Sequence, residues 1–312
     1  MNLSRALLTL GDFERGWQEN EWRWRSTALK GSARNFAPPL WDGTPRAQQT
    51  LLIHAEQGLG DTLHFVRYAP LVKPRCGRLV FECQKPLLAL LARCAGIDQL
   101  VAQGEPLPAF ACHAPLLSVP WLLQTRQASI PADVPYLWAD PALIDRWREQ
   151  LRDIRGFRIG INWQGRPGRG AWRFRNLPLA QFAALARLPN VRIISLQKGA
   201  GREALAEIGD RFPLVDLGDE VDQASGAFMD TAAIMRNLDL VLTSDTAVAH
   251  LAGGLGVPVW VALPFAAEWR WLRNRSDSPW YPTMRLFRQR QREDWDSVFQ
   301  AVEQALRELL SG

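Results

Sequence analysis

The run from residue 238 to 263 constrains the fold more than any other part of the chain. Leu238-Asp-Leu-Val-Leu-Thr243 has the pattern of a buried strand, 247–255 that of a small-residue helix, and 257–263 that of a second apolar strand. Such a strand–turn–helix–strand unit builds a parallel sheet, and open parallel sheets take ligands just beyond the carboxyl ends of their strands. Ser244, Asp245 and Thr246 hold that position. The helix start offers backbone N–H groups and a positive dipole end, which suit a phosphate. His250 follows Thr246 by four residues, on the same helix face, with Val248, Leu251, Ala252 and Leu255 expected on an opposite, sheet-facing side. The same residues also read as an Asp/Thr helix cap beside an incidental histidine, because capping is what these residue types commonly do.

The alternation extends along most of the chain. Strands are predicted at 50–55, 78–83, 99–102 and 109–113, with helices at 62–72 and 86–94, a proline-rich crossing at 131–141 and a helix at 142–151. A second set has strands at 157–163, 191–196, 213–217, 238–243 and 257–263, with helices at 179–188, 202–208, 231–236 and 247–255. Alternating βα units predict an α/β protein with helices wrapped on parallel sheets. Two sets dividing near residue 150 predict two Rossmann-like domains, 49–150 and 151–293, facing a cleft. A last helix, 294–312, carries Trp295, Val298, Val302, Leu306 and Leu309 at helical spacing and is expected to cross back to the first domain.

Residues 1–48 stand apart. Leu3, Ala6, Leu7 and Leu10 recur at helical spacing, Gly11-Asp12 is a turn, and Phe13, Trp17, Trp22 and Trp24 mark an aromatic second helix before a Gly- and Pro-rich linker at 31–48. Leu10-Gly-Asp-Phe-Glu-Arg-Gly-Trp-Gln-Glu-Asn-Glu-Trp-Arg-Trp24 resembles the end of a tetratricopeptide-repeat array. One such unit cannot form a solenoid, so the segment is expected to pack on the domain that follows.

Composition narrows the class. With 47% hydrophobic and 22% charged residues in 312, the chain is that of an ordinary soluble globular protein. A net charge of +5 suits an anionic ligand and does not call for nucleic acid. Cys76, Cys83, Cys94 and Cys112 show no metal-site spacing, and the expectation is buried thiols in a reducing cytoplasm. The first residues are too short in apolar run for a signal peptide, and the longest apolar run, 251–265, is broken by glycines and a proline and falls short of a membrane span.

Further chemistry gathers at the other strand ends. In the second domain these carry Asn162, Trp163-Gln164-Gly165 and Gln197-Lys198-Gly199. Lys198 reads either as a phosphate contact or as a solvated loop lysine. Arg173, Arg175, Arg166 and Arg169 lie in a basic stretch able to meet phosphate. In the first domain, His54-Ala-Glu-Gln-Gly58-Leu-Gly60-Asp61 follows a strand. Its two glycines allow a tight turn, but the full dinucleotide fingerprint is absent. Asp61 is either a general base or the cap of its own helix; a base must point away from that helix. Glu268-Trp-Arg-Trp271 and Trp280-Tyr281 read as cleft wall or as packing.

Together, 54–70, Ser195-Leu-Gln-Lys-Gly199, Asp245-Thr-Ala-Val-Ala-His-Leu-Ala-Gly253 and Ser278-Pro-Trp-Tyr-Pro-Thr-Met-Arg-Leu-Phe287 resemble glycosyltransferase family 9, which contains the lipopolysaccharide heptosyltransferases, and in particular its bacterial branch fused to tetratricopeptide repeats. The resemblance spans nearly the whole chain. It implies the GT-B fold and a metal-independent, inverting transfer from a nucleotide-diphosphate sugar, with that donor as substrate and no further cofactor. It implies Asp61 as the base, and Asp245, Thr246, Ala247 and His250 at the diphosphate, Asp245 ordering the turn. Arg175 stands where the family has a basic residue before a proline, and Lys198 is a second cation. Gly58, Gly60, Trp163 and Gln164 are expected in the loops lining the cleft. The loop 164–172 departs from the Asn- and Lys-rich form of the family, and the repeat array is cut to about one unit, which leaves the acceptor (glycan, lipid-linked or protein) open. The mild basic charge is compatible with peripheral association at the inner face of a membrane. Base and ribose contacts are expected from the loops after Leu217 and near Met229-Asp230. Two other readings stay open: another nucleotide-sugar enzyme, such as an epimerase or hydrolase, and a non-catalytic interaction module.

Overall fold

The computed structural model describes residues 2–26, 34–166 and 174–312, with Asp210 described by its backbone alone. The chain forms two compact units, one of residues 1–137 and 268–275, the other of residues 138–267 and 276–312.

The first unit contains a four-stranded parallel sheet in the order β3-β2-β1-β4, from β1 (Arg46–His54), β2 (Cys76–Cys83), β3 (Gln99–Ala102) and β4 (Cys112–Pro115). After β1 the chain winds outward to β2 and β3, then returns to place β4 on the other side of β1. The order therefore reverses between β1 and β4, where His54 and Pro115 are register partners. The stretch predicted as helix 62–72 begins earlier and is segmented into an α-helix at Leu59–Phe65, a 3-10 turn at Val66–Tyr68 and a short α-helix at Ala69–Val72. One face of the sheet carries Leu52, Val80 and Val101, packed with Phe36, Leu107 and Phe110. Phe36 also lies edge-on to His54 and His113, at 5.6 and 4.8 Å between ring centroids. The linker thus covers this face instead of merely spanning two domains.

The N-terminal helices are Asn2–Thr9 and Phe13–Asn20, followed by a 3-10 turn at Glu21–Arg25. Their aromatic face is buried in the first unit: Trp17 meets Phe65 and Trp269 edge-on at 6.2 and 5.1 Å. Arg23, 1% exposed, forks onto Glu56 through Nε–Oε2 at 2.9 Å and Nη2–Oε1 at 2.7 Å, and reaches Ser118 Oγ at 2.8 Å.

The second unit contains a six-stranded parallel sheet in the order β10-β9-β8-β5-β6-β7. Its strands are β5 (Phe157–Asn162), β6 (Val191–Ser195), β7 (Leu214–Asp216), β8 (Leu240–Ser244), β9 (Val259–Leu263) and β10 (Met284–Arg288). Every residue of β8 and β9 is buried, as expected for parallel strands covered on both faces. The edge strand β10 is an addition to the predicted set. It alternates buried Met284, Leu286 and Phe287 with an exposed Arg285, and the cations on this short run masked an edge strand.

Two boundaries differ from expectation. Helix Pro141–Gln150 packs on helix Met229–Met235 and belongs to the second unit, so the chain passes between units near 137 and not 150. The last helix, Trp295–Ser311, groups with the second unit. Its Trp295, Val298, Phe299, Val302, Ala305 and Leu306 share a core with Ile159, Ile161, Ile193 and Leu242 of the second sheet. All four cysteines are buried free thiols, and burial pushes Cys83 and Cys94 up to about 12. Among the described residues no helix is long and apolar enough to cross a membrane.

Candidate functional site

In the second unit the strand order reverses between β5 and β8. Crossovers leave on opposite sides there, opening a crevice at the carboxyl ends. Asn162 and Thr243 are register partners at that point. Asn162 is 3% exposed and acts as a hub: its Oδ1 accepts from Thr246 Oγ1 at 2.9 Å and Thr243 Oγ1 at 3.2 Å, and its Nδ2 donates to Gln197 Oε1 at 2.8 Å. Gln197 Oε1 also accepts the backbone N–H groups of Trp163 and Gln164 at 3.1 and 3.0 Å, while its Nε2 donates to the carbonyls of Gln164 and Ala200 at 2.8 and 2.7 Å. Three strand ends, β5, β6 and β8, are thereby tied through two buried amides.

The turn that follows β8 is set by this network. Thr246 is the N-cap of helix Ala247–Gly254, with extended backbone (φ −135°, ψ 176°), and its hydroxyl goes to Asn162 and not to its own helix. The first N–H groups of the helix therefore get no side-chain cap from Thr246. Thr246 and Ala247 are half-buried where Ser244, Asp245 and Val248 are buried, so the turn opens at those two residues. Asp245, 3% exposed, has Oδ2 at 3.4 Å from Arg175 Nη1. Arg175 and the turn are thus brought together.

His250 is buried, and its Nδ1 lies 2.9 Å from the Tyr281 hydroxyl. The two-faced helix expected here is not what forms: Ala249, His250, Gly253 and Gly254 are as buried as Val248 and Leu251. The helix sits inside the unit, and its small residues let neighbours approach on every side.

Other candidates lie elsewhere. Lys198 donates to the Asp219 carbonyl at 3.1 Å. Trp163 is 2% exposed, belongs to the sheet core and donates to the Gly201 carbonyl at 3.1 Å, which makes it packing and not cleft wall. Gln164 is half-buried, with its backbone held by Gln197. Arg166 is exposed; Arg169 and Arg173 lie outside the described residues. Asp222 and Asp230, in the loop expected to meet base and ribose, are occupied locally. Asp230 accepts from Trp147 Nε1 at 2.7 Å and from the Asp222 N–H at 2.9 Å, and Asp222 accepts the Thr231 N–H at 3.0 Å. Burial raises Asp222; for Asp230 burial acts in the same sense, but the bonds from Ser225, Trp147 and Asp222 outweigh it and hold the carboxyl below its usual range.

In the first unit, the loop after β1 leads to the β1/β4 reversal. Its positive φ falls on Gln57 (61°) and not on a glycine. Gly58 is the N-cap of helix Leu59–Phe65, and a Cβ there would lie 3.3 Å from Asp61 Oδ2. Closeness to that carboxylate, more than backbone freedom, is what the glycine provides. Gly60 lies within the first helical turn. Asp61 Oδ2 accepts the Gly58 N–H at 3.0 Å, the capping role, and Oδ1 accepts from Arg270 Nη2. The Asp61 side chain keeps 22% exposure, against 8% for Arg270. Arg270 also pairs with Glu268 at 2.9 Å and lies over the rings of Trp269 and Phe65. Nothing local marks this cation, because its partner lies more than two hundred residues away in the sequence. Among the described residues no three His, Cys, Asp or Glu side chains form a group that could hold a metal.

Two parallel sheets, each with a strand-order reversal, give the α/β fold of GT-B glycosyltransferase structures. A glycosyl transferase of family 9 from Veillonella parvula is similar in structure over 84% of this chain and 91% of its own, with a TM-score of 0.59 and 9% identity. The Escherichia coli ADP-heptose lipopolysaccharide heptosyltransferase II matches over 84% of this chain and 98% of its own, with a TM-score of 0.58 and 14% identity. In sequence, Protein FlbA of Caulobacter vibrioides is 29% identical over 99% of this chain. The chain spans 55% of that relative's length. No protein-family model matches the chain.

Proposed function

We propose that this protein is a glycosyltransferase that moves a sugar from a nucleotide-diphosphate donor to an acceptor hydroxyl. One observation carries the reading. The turn Ser244–Thr246 lies at the strand-order reversal of the second sheet, held open by Asn162 and with Arg175 alongside. Thr246, Ala247 and the helix start offer N–H donors, and Arg175 and His250 add side-chain donors, so leaving-group charge on a diphosphate is offset without assigning that task to a metal ion. Asp245 lies next to Arg175 and orders the turn.

In this reading Asp61 takes the proton from the acceptor hydroxyl as its oxygen attacks the anomeric carbon. The bond to the diphosphate breaks with its electron pair leaving on the nucleotide, and the configuration inverts. Asp61 Oδ2 stays on the cap of its own helix, so the role requires the hydroxyl proton to reach Oδ1, which Arg270 also holds; the 22% exposure of the side chain is what admits the hydroxyl. Lys198, held at Asp219, is assigned no phosphate contact. The donor of the Escherichia coli neighbour, ADP-heptose by its name, makes an adenine nucleotide the first to try.

The test is calorimetry and thermal shift with ADP, UDP, GDP and CMP. One diphosphate should stabilise the wild type, and His250→Ala should weaken that binding about tenfold, the scale of a charge-assisted hydrogen bond. No binding of any of the four at millimolar concentration would remove the reading. With a donor in hand, Asp61→Asn should retain nucleotide binding and lose transfer by at least about a hundredfold.

A further inference from the structure

We propose that Tyr281 is a positioning residue for His250: its hydroxyl fixes the tautomer of the buried imidazole so that Nε2 carries the proton offered to an anionic ligand at the Ser244–Thr246 turn. The inference rests on the diphosphate reading of that turn. Its own basis is geometric.

Tyr281 is fully buried in the segment leading into β10, the edge strand that pairs with β9. It reaches helix Ala247–Gly254 because residue 253 is glycine. A Cβ at Gly253 would stand 2.4 Å from Tyr281 Cδ1 and 2.7 Å from Cε1 and Cγ, closer than side chains tolerate. The missing Cβ seats the ring against the helix and brings its hydroxyl 2.9 Å from His250 Nδ1. With both residues buried, bulk water does not compete for this bond.

The chemistry follows from the two ring nitrogens. Tyr281 engages Nδ1, and Nε2 is the nitrogen assigned to the ligand. When the tyrosine O–H donates to Nδ1, the neutral ring carries its proton on Nε2 and can donate to a phosphate oxygen. The opposite tautomer would turn a lone pair toward the anion. Tyr281 thus selects the form of His250 that binds. The pair is separated by 31 residues in sequence, so the fold and not the local sequence unites them.

The test needs no acceptor and no turnover. Full-length protein labelled with 15N in its histidines has four imidazoles, and His250→Gln identifies the signals of His250. The wild type should show the Nε2–H tautomer at His250. Tyr281→Phe, which keeps the ring and removes the hydroxyl, should move those signals toward a tautomer mixture while those of His54 and His113 stay in place. Calorimetry with ADP and with inorganic pyrophosphate should show binding weakened about fivefold, one hydrogen bond's worth of ligand contact. Gly253→Ala, which retains the hydroxyl but displaces the ring, should give the same spectral change. An Nδ1–H tautomer in the wild type overturns the proposal before any variant is made. A Tyr281→Phe protein with unchanged His250 signals and unchanged affinities also overturns it, and leaves the diphosphate reading standing. If the wild type binds neither ADP nor pyrophosphate while Tyr281→Phe still shifts the tautomer, the diphosphate reading falls and the Tyr281–His250 coupling is supported.

Discussion

Asn162 shows how a single side chain can prepare a site it need not touch. One buried amide takes the hydroxyls of Thr243 and Thr246 and gives its N–H to Gln197. Asn162→Ala removes that hub and strands polar groups in the interior, so it should cost about 2 kcal/mol of stability, measured by urea unfolding, and weaken nucleotide binding as Thr246 loses its anchor. A second residue-scale consequence concerns acid. His54 Nε2 lies 3.3 Å from His113 Nδ1 beneath Phe36. Burial first, then His113 and nearby arginines, depress His54 from 6.5 to about 3. The unfolded chain takes up this proton below about pH 6.5 and the folded chain does not until about pH 3. Stability from His54 is therefore complete above pH 6.5 and declines as pH falls, by at most about 1.4 kcal/mol per unit. Denaturant titrations at pH 7, 6 and 5 should show a shallower acid loss for His54→Gln than for the wild type; an equal slope would contradict the assignment.

Elements were legible where hydrophobic pattern alone decides them, as in the nine strands read from apolar runs. They were illegible where a tertiary neighbour decides. Nothing local marks Met284–Arg288 as a strand, because its pairing with β9 supplies the reason. Trp163 stands at a strand end, where ligands bind, yet it belongs to the buried core of the second unit. The turn after β8 was readable to the residue, while Asn162 as its anchor and Tyr281 as the partner of His250 were not, since each bond joins distant segments. The N-terminal helices illustrate the same limit. Their aromatic stripe predicted packing, but the Arg23–Glu56 fork that locks them to the loop after β1 is a property of the fold. Both side chains are nearly buried, at 2% and 7% exposure; Arg23 also pairs with Glu21 at 2.7 Å and reaches Ser118, and the Leu117 N–H donates to Glu56. Arg23→Met leaves Glu56 charged and unpaired inside the unit and should cost about 3 kcal/mol or more in thermal or denaturant unfolding. Arg23→Lys should recover little, since an ammonium cannot fork onto two carboxylate oxygens.

At the scale of the molecule, the division of the chain is not a single cut. The chain passes between units near residues 137, 267 and 275, so the segment 268–275 belongs with the first unit although both its flanks belong to the second. That segment brings Trp269 against Trp17 and Phe65, and Arg270 onto Asp61. Residues 1–137 alone would expose the faces of Trp17 and Phe65 that Trp269 covers, and would release one of the two bonds that fix Asp61. Burial of a tryptophan is worth on the order of 2–3 kcal/mol by apolar area, a large part of the stability of a unit this size. A fragment of residues 1–137 should therefore unfold at lower denaturant than the same fragment with 268–275 joined through a flexible linker. Trp269→Ala in the joined fragment should return it to the level of the bare one, and Arg270→Met should do so only in part, because the aromatic cover remains. Equal midpoints for the two fragments would show that the segment leans on the first unit without supporting it.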